Sequence, residues 1–297
     1  LPDHEARTAV FERIQYSTQQ SATPQRRPLL DCSEPAKHKI VTALAGMTEQ
    51  GCTDVLSLCI TTYGGFEGEY TRNDEIRNRT TDFLTTIEEE KAKVLRETTT
   101  LEYFSKNAVA ASSDIGGFSA FASWLEQRRI CFSQERDTYH LDSPKGVVLL
   151  GVPGTGKSLA AKVAANILQQ PLVLFDVGAV YGSLVGESES RIRSALNAVD
   201  NMNGCVLLID EADKLWGNAH TASGDSGVTN RVFGRFLSWL QEKQSQSFVI
   251  MTMNRISGVP PELLRKRRFD EVFFADFPNE SARRDILEIH LRKRGVS

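Results

Sequence analysis

The chain has 297 residues, of which 40% are hydrophobic and 25% are charged. This composition excludes a disordered, collagen-like or disulfide-scaffold protein, and it provides enough apolar mass for one large domain and a smaller one. The net charge is −3, from 35 Lys and Arg residues against 38 Asp and Glu. A charge so close to balance does not indicate a nucleic-acid-binding protein.

Cysteine usage and hydropathy bear on the compartment. The five cysteines form no Cys-x-x-Cys pair, which argues against a zinc site or a disulfide framework and predicts a reducing compartment. The longest apolar runs, at 146–152 and 205–209, are far shorter than the roughly 20 residues that span a bilayer. We expect no transmembrane helix and no signal peptide. Because the first residue is Leu1, we expect a piece or a processed form of a longer protein.

The first third of the chain has helical periodicity and no clear strand pattern. Charged residues over 82–106 predict one long helix with Asp82 as a candidate N-cap. Acidic residues at 88–90 precede basic residues at 91, 93 and 96, in the order that the helix dipole favours. We expect most of these charges to lie on a solvated face.

A short internal repeat links the two ends of the chain. Residues 1–12 align without gaps with residues 277–288, and the Pro, Ala, Arg and final Glu coincide. A proline before an amphipathic helix is common, so the match is a weak signal by itself. It suggests a tandem in which residues 1–65 finish an earlier module.

The second half alternates strands and helices, which predicts an α/β fold with a central parallel sheet flanked by helices, preceded by a mainly helical N-terminal region. Near-continuous apolar runs predict strands at 146–150, 171–176, 205–209 and 248–253, and one more at 272–274. Helical patterns occupy 158–168, 188–199 and 228–243.

A glycine-rich segment follows the first of these strands and opens a helix. Residues 151–158 read Gly-Val-Pro-Gly-Thr-Gly-Lys-Ser, which fits the phosphate-loop pattern G-x-x-x-x-G-K-[ST] in the context that makes it credible. Glycines let backbone N–H groups converge on phosphate oxygens, and the helix N-terminus adds a positive dipole end. Lys157 would supply a point charge and Ser158 a Mg2+ ligand.

Two acidic residues end the apolar strand at 205–209. At the carboxyl edge of a parallel sheet they would lie beside the phosphate loop, with Asp210 holding Mg2+ and Glu211 polarising the attacking water. Asn254 closes the strand at 248–253 and would orient that water at the same edge. Four consecutive cations follow at 265–268, and guanidinium groups are what a developing phosphoryl charge requires.

Over about residues 114–292 this set of motifs resembles the AAA+ ATPases, in the clade of the katanin-like, proteasomal and membrane-protease ATPases. The resemblance implies that Ile115 and Gly116 contact adenine and that Asn254 is the sensor. It also implies that Arg265 and Arg268 are the arginine fingers. The resemblance and the phosphate-loop pattern together imply a set of residues that contact the nucleotide. These are Ile115, Gly116, Gly151, Pro153, Gly154, Thr155, Gly156, Lys157, Ser158, Leu159 and His290.

A closer resemblance is to the uncharacterised AAA-ATPase family encoded in algal chloroplast genomes and cyanobacteria. It is carried by the segments 185–193, 224–233 and 261–265, and upstream by 43–49 and 87–91. Members resemble a degenerate AAA-like half followed by an intact one. The resemblance implies a compartment that is cytoplasmic or similar to the chloroplast stroma.

The resemblance implies four segments. Residues 1–65 would be a helical region, the lid of a truncated upstream AAA-like module, and residues 66–110 a linker with the long helix. Residues 111–276 would be the AAA+ core, and 277–297 the start of a truncated helical lid.

Two departures from the family pattern affect the predicted function. Arg267 replaces a glycine of the arginine-finger segment, which leaves open which guanidinium reaches a neighbour. The central-pore loop reads Leu184-Val185-Gly186, with Tyr181 three residues earlier, where threading enzymes have an aromatic residue.

The resemblance implies Mg2+-dependent ATP hydrolysis by a homo-oligomeric ring, expected to be a hexamer, that remodels a protein partner. An alternative is a slow, nucleotide-gated interaction module, which the non-aromatic pore loop favours. A third is a DNA-remodelling ATPase, supported only by the basic residues at 283–284 and 292–294.

Overall fold

The computed structural model describes residues 1–23, 30–72, 75–106, 115–133, 135–181, 187–202, 204–215, 226–255, 263 and 268–295. The chain divides into two units. The first comprises Leu1–Glu97 and Asn201–Asn203, and the second Thr98–Asp200 and Gly204–Ser297. No helix among the described residues is long and apolar enough to cross a bilayer.

The first unit is mainly helical. Its elements are α1 (His4–Ser21), α2 (Glu34–Ala43), α3 (Glu49–Tyr63), the antiparallel strands β1 (Glu69–Arg72) and β2 (Glu75–Asn78), and α4 (Arg79–Thr98). The side chains of Asp3, Ser33 and Thr48 cap the first three helices, each accepting a hydrogen bond from a backbone N–H three residues later. Phe66 lies between Phe11 and Phe83 in the core, with ring centroids 4.9 and 5.4 Å away.

The second unit is built on a sheet. Its elements are β3 (Leu101–Phe104), α5 (Ser119–Arg128), α6 (Glu135–Thr138), β4 (Gly146–Gly151), α7 (Lys157–Ile167), β5 (Leu172–Phe175), α8 (Val177–Tyr181), α9 (Glu187–Asp200), β6 (Val206–Ile209), α10 (Ser226–Glu242), β7 (Phe248–Met253), β8 (Glu271–Ala275) and α11 (Glu280–Lys293). Single turns of 3-10 helix cover Arg129–Phe132 and Ala212–Leu215.

The six strands are ordered β3-β5-β6-β7-β4-β8, and every neighbouring pair is parallel except β3 with β5. All six residues of β7 and all four of β6 are buried, as expected for strands covered on both faces. Val147 and Leu149 of β4 pack in one core cluster with residues of α5 and α7. The parallel strands bring their carboxyl ends to one edge, where ligands bind in open α/β sheets.

The predicted α/β core is confirmed, with its strands and helices within about two residues of the predicted bounds, but the sheet is mixed. Its antiparallel edge strand β3 lies where the sequence predicts the end of a long helix. In β3, Leu101 and Tyr103 are buried and alternate with partly buried residues, and the strand pairs with β5. This pairing overrides the helical propensity of a charged segment.

The helix itself also differs from the prediction. It begins at Arg79 rather than after Asp82, because the Oδ1 of Asn78 accepts the backbone N–H of Thr81 at 3.1 Å, while Asp82 instead accepts the Tyr70 hydroxyl at 2.6 Å. Lys91, expected on a solvated face, is only 6% exposed. The strands β1 and β2 escaped prediction because they are four residues each and β2 is exposed throughout, so no alternation marks it.

The described residues 66–72 and 75–97 belong to the first unit. Phe66, Phe83 and Ile87 are fully buried in the same core cluster as Phe11 of α1.

Candidate functional site

A glycine-rich turn connects β4 to α7. Gly154 and Gly156 have φ angles of +83° and +86°, which favour glycine because a side chain is strained there. At Gly151 a Cβ atom would lie 2.1 Å from the carbonyl oxygen of Ala275 in β8, so that close approach also requires glycine. Since the first N–H groups of α7 have no intrahelical partner, this turn presents donors of the kind that bind anions at helix N-termini.

Lys157 folds back over this turn. Its Nζ donates to the carbonyl oxygens of Gly151 and Val152, both at 2.8 Å, and the residue is only 6% exposed. Burial lowers the pKa of Lys157, while Asp210, Asp213 and Glu211 act in the opposite direction without reversing the shift. The amine therefore lies in a partly desolvated, locally acidic setting beside the glycine-rich turn.

The first turn of α7 is joined to the end of β6 by side-chain hydrogen bonds. The Ser158 hydroxyl lies 3.0 and 2.8 Å from the two carboxylate oxygens of Asp210. A serine hydroxyl and one carboxylate are the ligands that Mg2+ typically takes from a protein that also binds nucleotide phosphates, the remaining ligands being phosphate and water. The donor set thus fits Mg2+, although no group of three or more His, Cys, Asp or Glu among the described residues could hold a metal by itself.

Thr252 of β7 completes this network. Its hydroxyl donates to Oδ1 of Asp210 and accepts the backbone N–H of Glu211 at 2.9 Å. Sequence analysis missed this residue, although a signal exists: Thr252 is the only hydroxyl-bearing residue of the strand Phe-Val-Ile-Met-Thr-Met.

Glu211 has an unusual backbone and an exposed side chain. Its φ is +52°, which is uncommon for a residue other than glycine and clusters at functional sites. Its side chain is 48% exposed and forms an ion pair with Lys214 one turn later. The hydrogen bond to Glu211 raises the pKa of Lys214. The carboxylate therefore lies on the open side of the site.

Asn254 directly follows β7 at the same sheet edge, two residues after Thr252, and is partly exposed. Arg268, also partly exposed, precedes β8. Arg265 and Arg267 lie outside the described residues, as do residues 182–186 with the predicted pore loop and the side chain of Tyr181.

The predicted adenine segment packs on α11. A Cβ atom on Gly116 would lie 2.9 Å from Cγ1 of Ile286 and 3.2 Å from the carbonyl oxygen of Ala282, so the segment approaches the helix as closely as glycine allows. Ile115 packs against the main core cluster. His290 is exposed on α11, one turn beyond Ile286.

A second residue that sequence analysis missed joins this segment to the phosphate loop. The ring of Phe118 lies 3.7 Å from where a Cβ of Gly156 would be, and it packs edge-on against Phe121. An aromatic residue just before a helix carries no sequence signal for this role. Phe118 thus lies close to the glycine-rich turn, two residues after Gly116.

Comparison with known proteins finds similarity to AAA proteins. Residues 147–277 match the family model described as "ATPase family associated with various cellular activities (AAA)". The "Uncharacterized AAA domain-containing protein ycf46" of Guillardia theta is 40% identical over 260 residues, which are 88% of this chain and 48% of the relative. The protein of the same name from Pyropia yezoensis is 45% identical over 210 residues, 71% and 42% of the two chains.

A more distant relative has a different name. The "Cell division cycle protein 48 homolog" of Archaeoglobus fulgidus is 33% identical over 155 residues, which are 52% of this chain and 21% of that protein. This chain thus spans less than half the length of each of these relatives.

Proposed function

Because this chain carries a domain of the AAA ATPase family, we propose that it binds ATP and hydrolyses it with Mg2+. The observation that carries the proposal is the meeting of Ser158 and Asp210 at the mouth of the phosphate-binding turn, with the Glu211 carboxylate beside them on the open side. Two candidate metal ligands and a candidate base at one sheet edge match the requirements of in-line attack by water on a phosphoryl group.

Each predicted residue has a role in this proposal. The loop from Gly151 through Pro153, Gly154, Thr155 and Gly156 to Leu159 would cradle the phosphates. Lys157 would release its two carbonyl partners to take a phosphate oxygen. Ser158 and Asp210 would hold Mg2+, which would neutralise phosphate charge.

The attacking water would be polarised by Glu211 and oriented by Asn254. The adenine ring of ATP would lie between Ile115, Gly116 and His290, with Phe118 nearby. The close packing of Gly116 on α11 supports this pocket, because it places the adenine segment and the helix that carries His290 side by side.

We also propose that the active assembly is a homo-oligomeric ring, a hexamer, in which Arg265 or Arg268 of one subunit reaches the nucleotide of the next, and that it remodels a protein partner. An arginine supplied in trans raises phosphoryl-transfer rates by about 10³–10⁵. A nucleotide-gated interaction module is the second candidate, favoured by the ion pair that engages Glu211 with Lys214.

The described residues give the DNA-remodelling alternative little support. Arg283 donates to the carbonyl oxygen of Pro278, just before α11, at 2.9 Å, and Arg284 pairs with Glu280 within the helix, so both cations have partners in or next to α11.

The helix starts support a further proposal on domain organisation, that residues 1–65 are the lid of an upstream AAA-like module and residues 277–297 begin the lid of the intact one. The Oδ1 atom of Asp3 accepts the N–H of Ala6 at 2.8 Å, and that of Asn279 accepts the N–H of Ala282 at 2.9 Å. The guanidinium of Arg7 likewise donates to the carbonyl oxygen of Pro2 at 2.9 Å, as Arg283 does to Pro278.

The cysteines support a reducing compartment, cytoplasmic or similar to the chloroplast stroma. All five are free thiols.

The proposal is tested by ATP turnover and nucleotide binding in matched variants. Lys157→Ala should abolish ATP binding, whereas Lys162→Ala, an exposed lysine on the same helix, should bind as wild type. Glu211→Gln should retain ATP and lose at least about 100-fold in turnover, with Glu288→Gln on the exposed face of α11 as its control. Unchanged turnover in Glu211→Gln would remove Glu211 from its proposed role.

The ring is tested by the dependence of turnover on protein concentration and by mixing. Specific activity should rise with concentration if a neighbour completes the site. An Arg268→Ala chain mixed with a Glu211→Gln chain should recover part of the lost turnover if Arg268 is the trans arginine. Flat, slow turnover with tight ATP binding would favour the nucleotide-gated module.

A further inference from the structure

Thr252 is a buried hydroxyl in a strand that is otherwise apolar. It is 1% exposed, and its neighbours Met251 and Met253 are fully buried. A buried hydroxyl destabilises the fold unless it is hydrogen-bonded. Both of its hydrogen bonds go to the end of β6, one to the Asp210 carboxylate and one to the Glu211 backbone. The hydroxyl therefore connects the two acidic residues of the candidate site.

The register of the sheet explains this placement. The parallel ladder between β6 and β7 ends with Ile209 opposite Met251, so Asp210 and Thr252 are the next residues on each strand. Glu211 then turns out of the extended conformation with φ +52°. Its N–H is bound by Thr252 Oγ1 instead of a strand carbonyl. The Thr252 hydroxyl thus holds the backbone at the point where the chain leaves the sheet.

The same hydroxyl orients the Asp210 carboxylate. Thr252 donates to Oδ1, while Ser158 lies 2.8 Å from Oδ2 on the α7 side. Groups that hydrogen-bond a ligating carboxylate fix its orientation, and their removal typically costs about 10–100-fold in metal affinity or activity. Removal of the hydroxyl would also leave the Glu211 N–H without its partner.

We infer that Thr252 is a positioning residue for the proposed ATPase site: its hydroxyl orients Asp210 toward Mg2+ and fixes the backbone from which Glu211 reaches the water. This inference rests on the proposed function. In this inference Thr252 does not contact the nucleotide. Removal of its hydroxyl therefore acts through Asp210 and Glu211.

The test compares three variants of the whole chain. Thr252→Val keeps the shape of the side chain and removes the hydroxyl, and Thr252→Ser keeps the hydroxyl. Thr100→Val makes the same chemical change at a buried threonine hydroxyl that has no hydrogen-bond partner in the structure. Thermal melting with and without nucleotide shows that each variant is folded.

The readouts are the Mg2+ dependence of turnover and the Mg2+ dependence of binding of a fluorescent ATP analogue. For Thr252→Val we expect kcat to fall about 10–100-fold and the Mg2+ concentration for half-maximal turnover and half-maximal binding to rise about tenfold. Binding of the analogue without Mg2+ should be unchanged. Thr252→Ser should stay within about threefold of wild type, and Thr100→Val should match wild type.

Two results would overturn the inference while the proposed function stands. The first is a Thr252→Val variant whose kcat and Mg2+ dependence equal those of wild type. The second is a Thr252→Ser variant that loses as much kcat as Thr252→Val. In either case the hydroxyl would not be the determining group. A wild-type chain that binds but does not hydrolyse ATP would instead contradict the proposed hydrolysis. The binding arm would still test Thr252 in that case.

Discussion

The starts of α1 and α11 have the same local structure in two different units of the chain. In each, an Asp or Asn side chain caps the helix at 2.8 or 2.9 Å, and an arginine four residues later donates at 2.9 Å to the carbonyl oxygen of the preceding proline. The cap is a property of the short sequence motif, because it forms in both units from contacts within seven residues.

The next turn of the two helices differs. Phe11 of α1 is fully buried, whereas Leu287, its counterpart in α11, is 62% exposed. Arg7 is 7% exposed and also donates its Nε to the carbonyl oxygen of Val41 in α2, while Arg283 is exposed. The motif thus determines where the helix begins, and the helices that follow in the first unit determine what its second turn contributes to stability.

The largest expected effect is at the second turn. Phe11→Ala should lower the free energy of unfolding by about 3–5 kcal/mol, because it removes a buried ring and leaves a cavity beside Phe66. Leu287→Ala, which removes an exposed side chain, should change it by no more than about 0.5 kcal/mol. Urea denaturation followed by far-UV circular dichroism measures both values.

The chain offers a probe that separates its units. The two tryptophans among the described residues, Trp124 and Trp239, belong to the second unit. Phe11→Ala should therefore shift the circular dichroism transition more than the tryptophan fluorescence transition. Equal losses of stability in Phe11→Ala and Leu287→Ala would contradict the contrast drawn between the two helices.

An intermediate effect is expected at the paired arginines. Arg7→Met should cost about 1–3 kcal/mol, because the buried Val41 carbonyl oxygen loses a donor that water does not replace. Burial lowers the pKa of the Arg7 guanidinium below its ordinary value. Arg283→Met, with one exposed hydrogen bond, should cost no more than about 0.5 kcal/mol. A loss at Arg283 as large as at Arg7 would show that the cap hydrogen bond, rather than burial, sets the value.

The candidate site and the repeat show what local sequence can predict. Gly154, Gly156, Lys157 and the acidic pair at the end of β6 were predictable, because phosphate binding demands those residue types at fixed spacing beside a strand. The cap at Asn279, which the sequence analysis did not name, depends on equally local contacts. These features depend on contacts within a few residues or on a motif whose chemistry tolerates few alternatives.

The features that escaped prediction depend on distant partners. Leu101–Phe104 becomes a strand because β5, some 70 residues later, presents an open edge to it. Lys91 is buried on the face of α4 that also carries Phe83 and Ile87, which pack in the core cluster of the first unit. Thr252 reaches Asp210 through a parallel pairing that no local pattern encodes.

The smallest effect is expected at the caps, and here the two helices should behave alike. Asp3→Ala and Asn279→Ala each remove one side-chain acceptor for a first-turn N–H, so each should cost about 1 kcal/mol. Asp3→Asn should cost less than Asp3→Ala, because asparagine caps as well as aspartate. The measurement is urea denaturation, with circular dichroism for Asp3 and tryptophan fluorescence for Asn279. If Asp3→Ala lost several times as much free energy of unfolding as Asn279→Ala, burial of the second turn would also strengthen the cap. The contributions of the motif and of the packing around it would then not be separable.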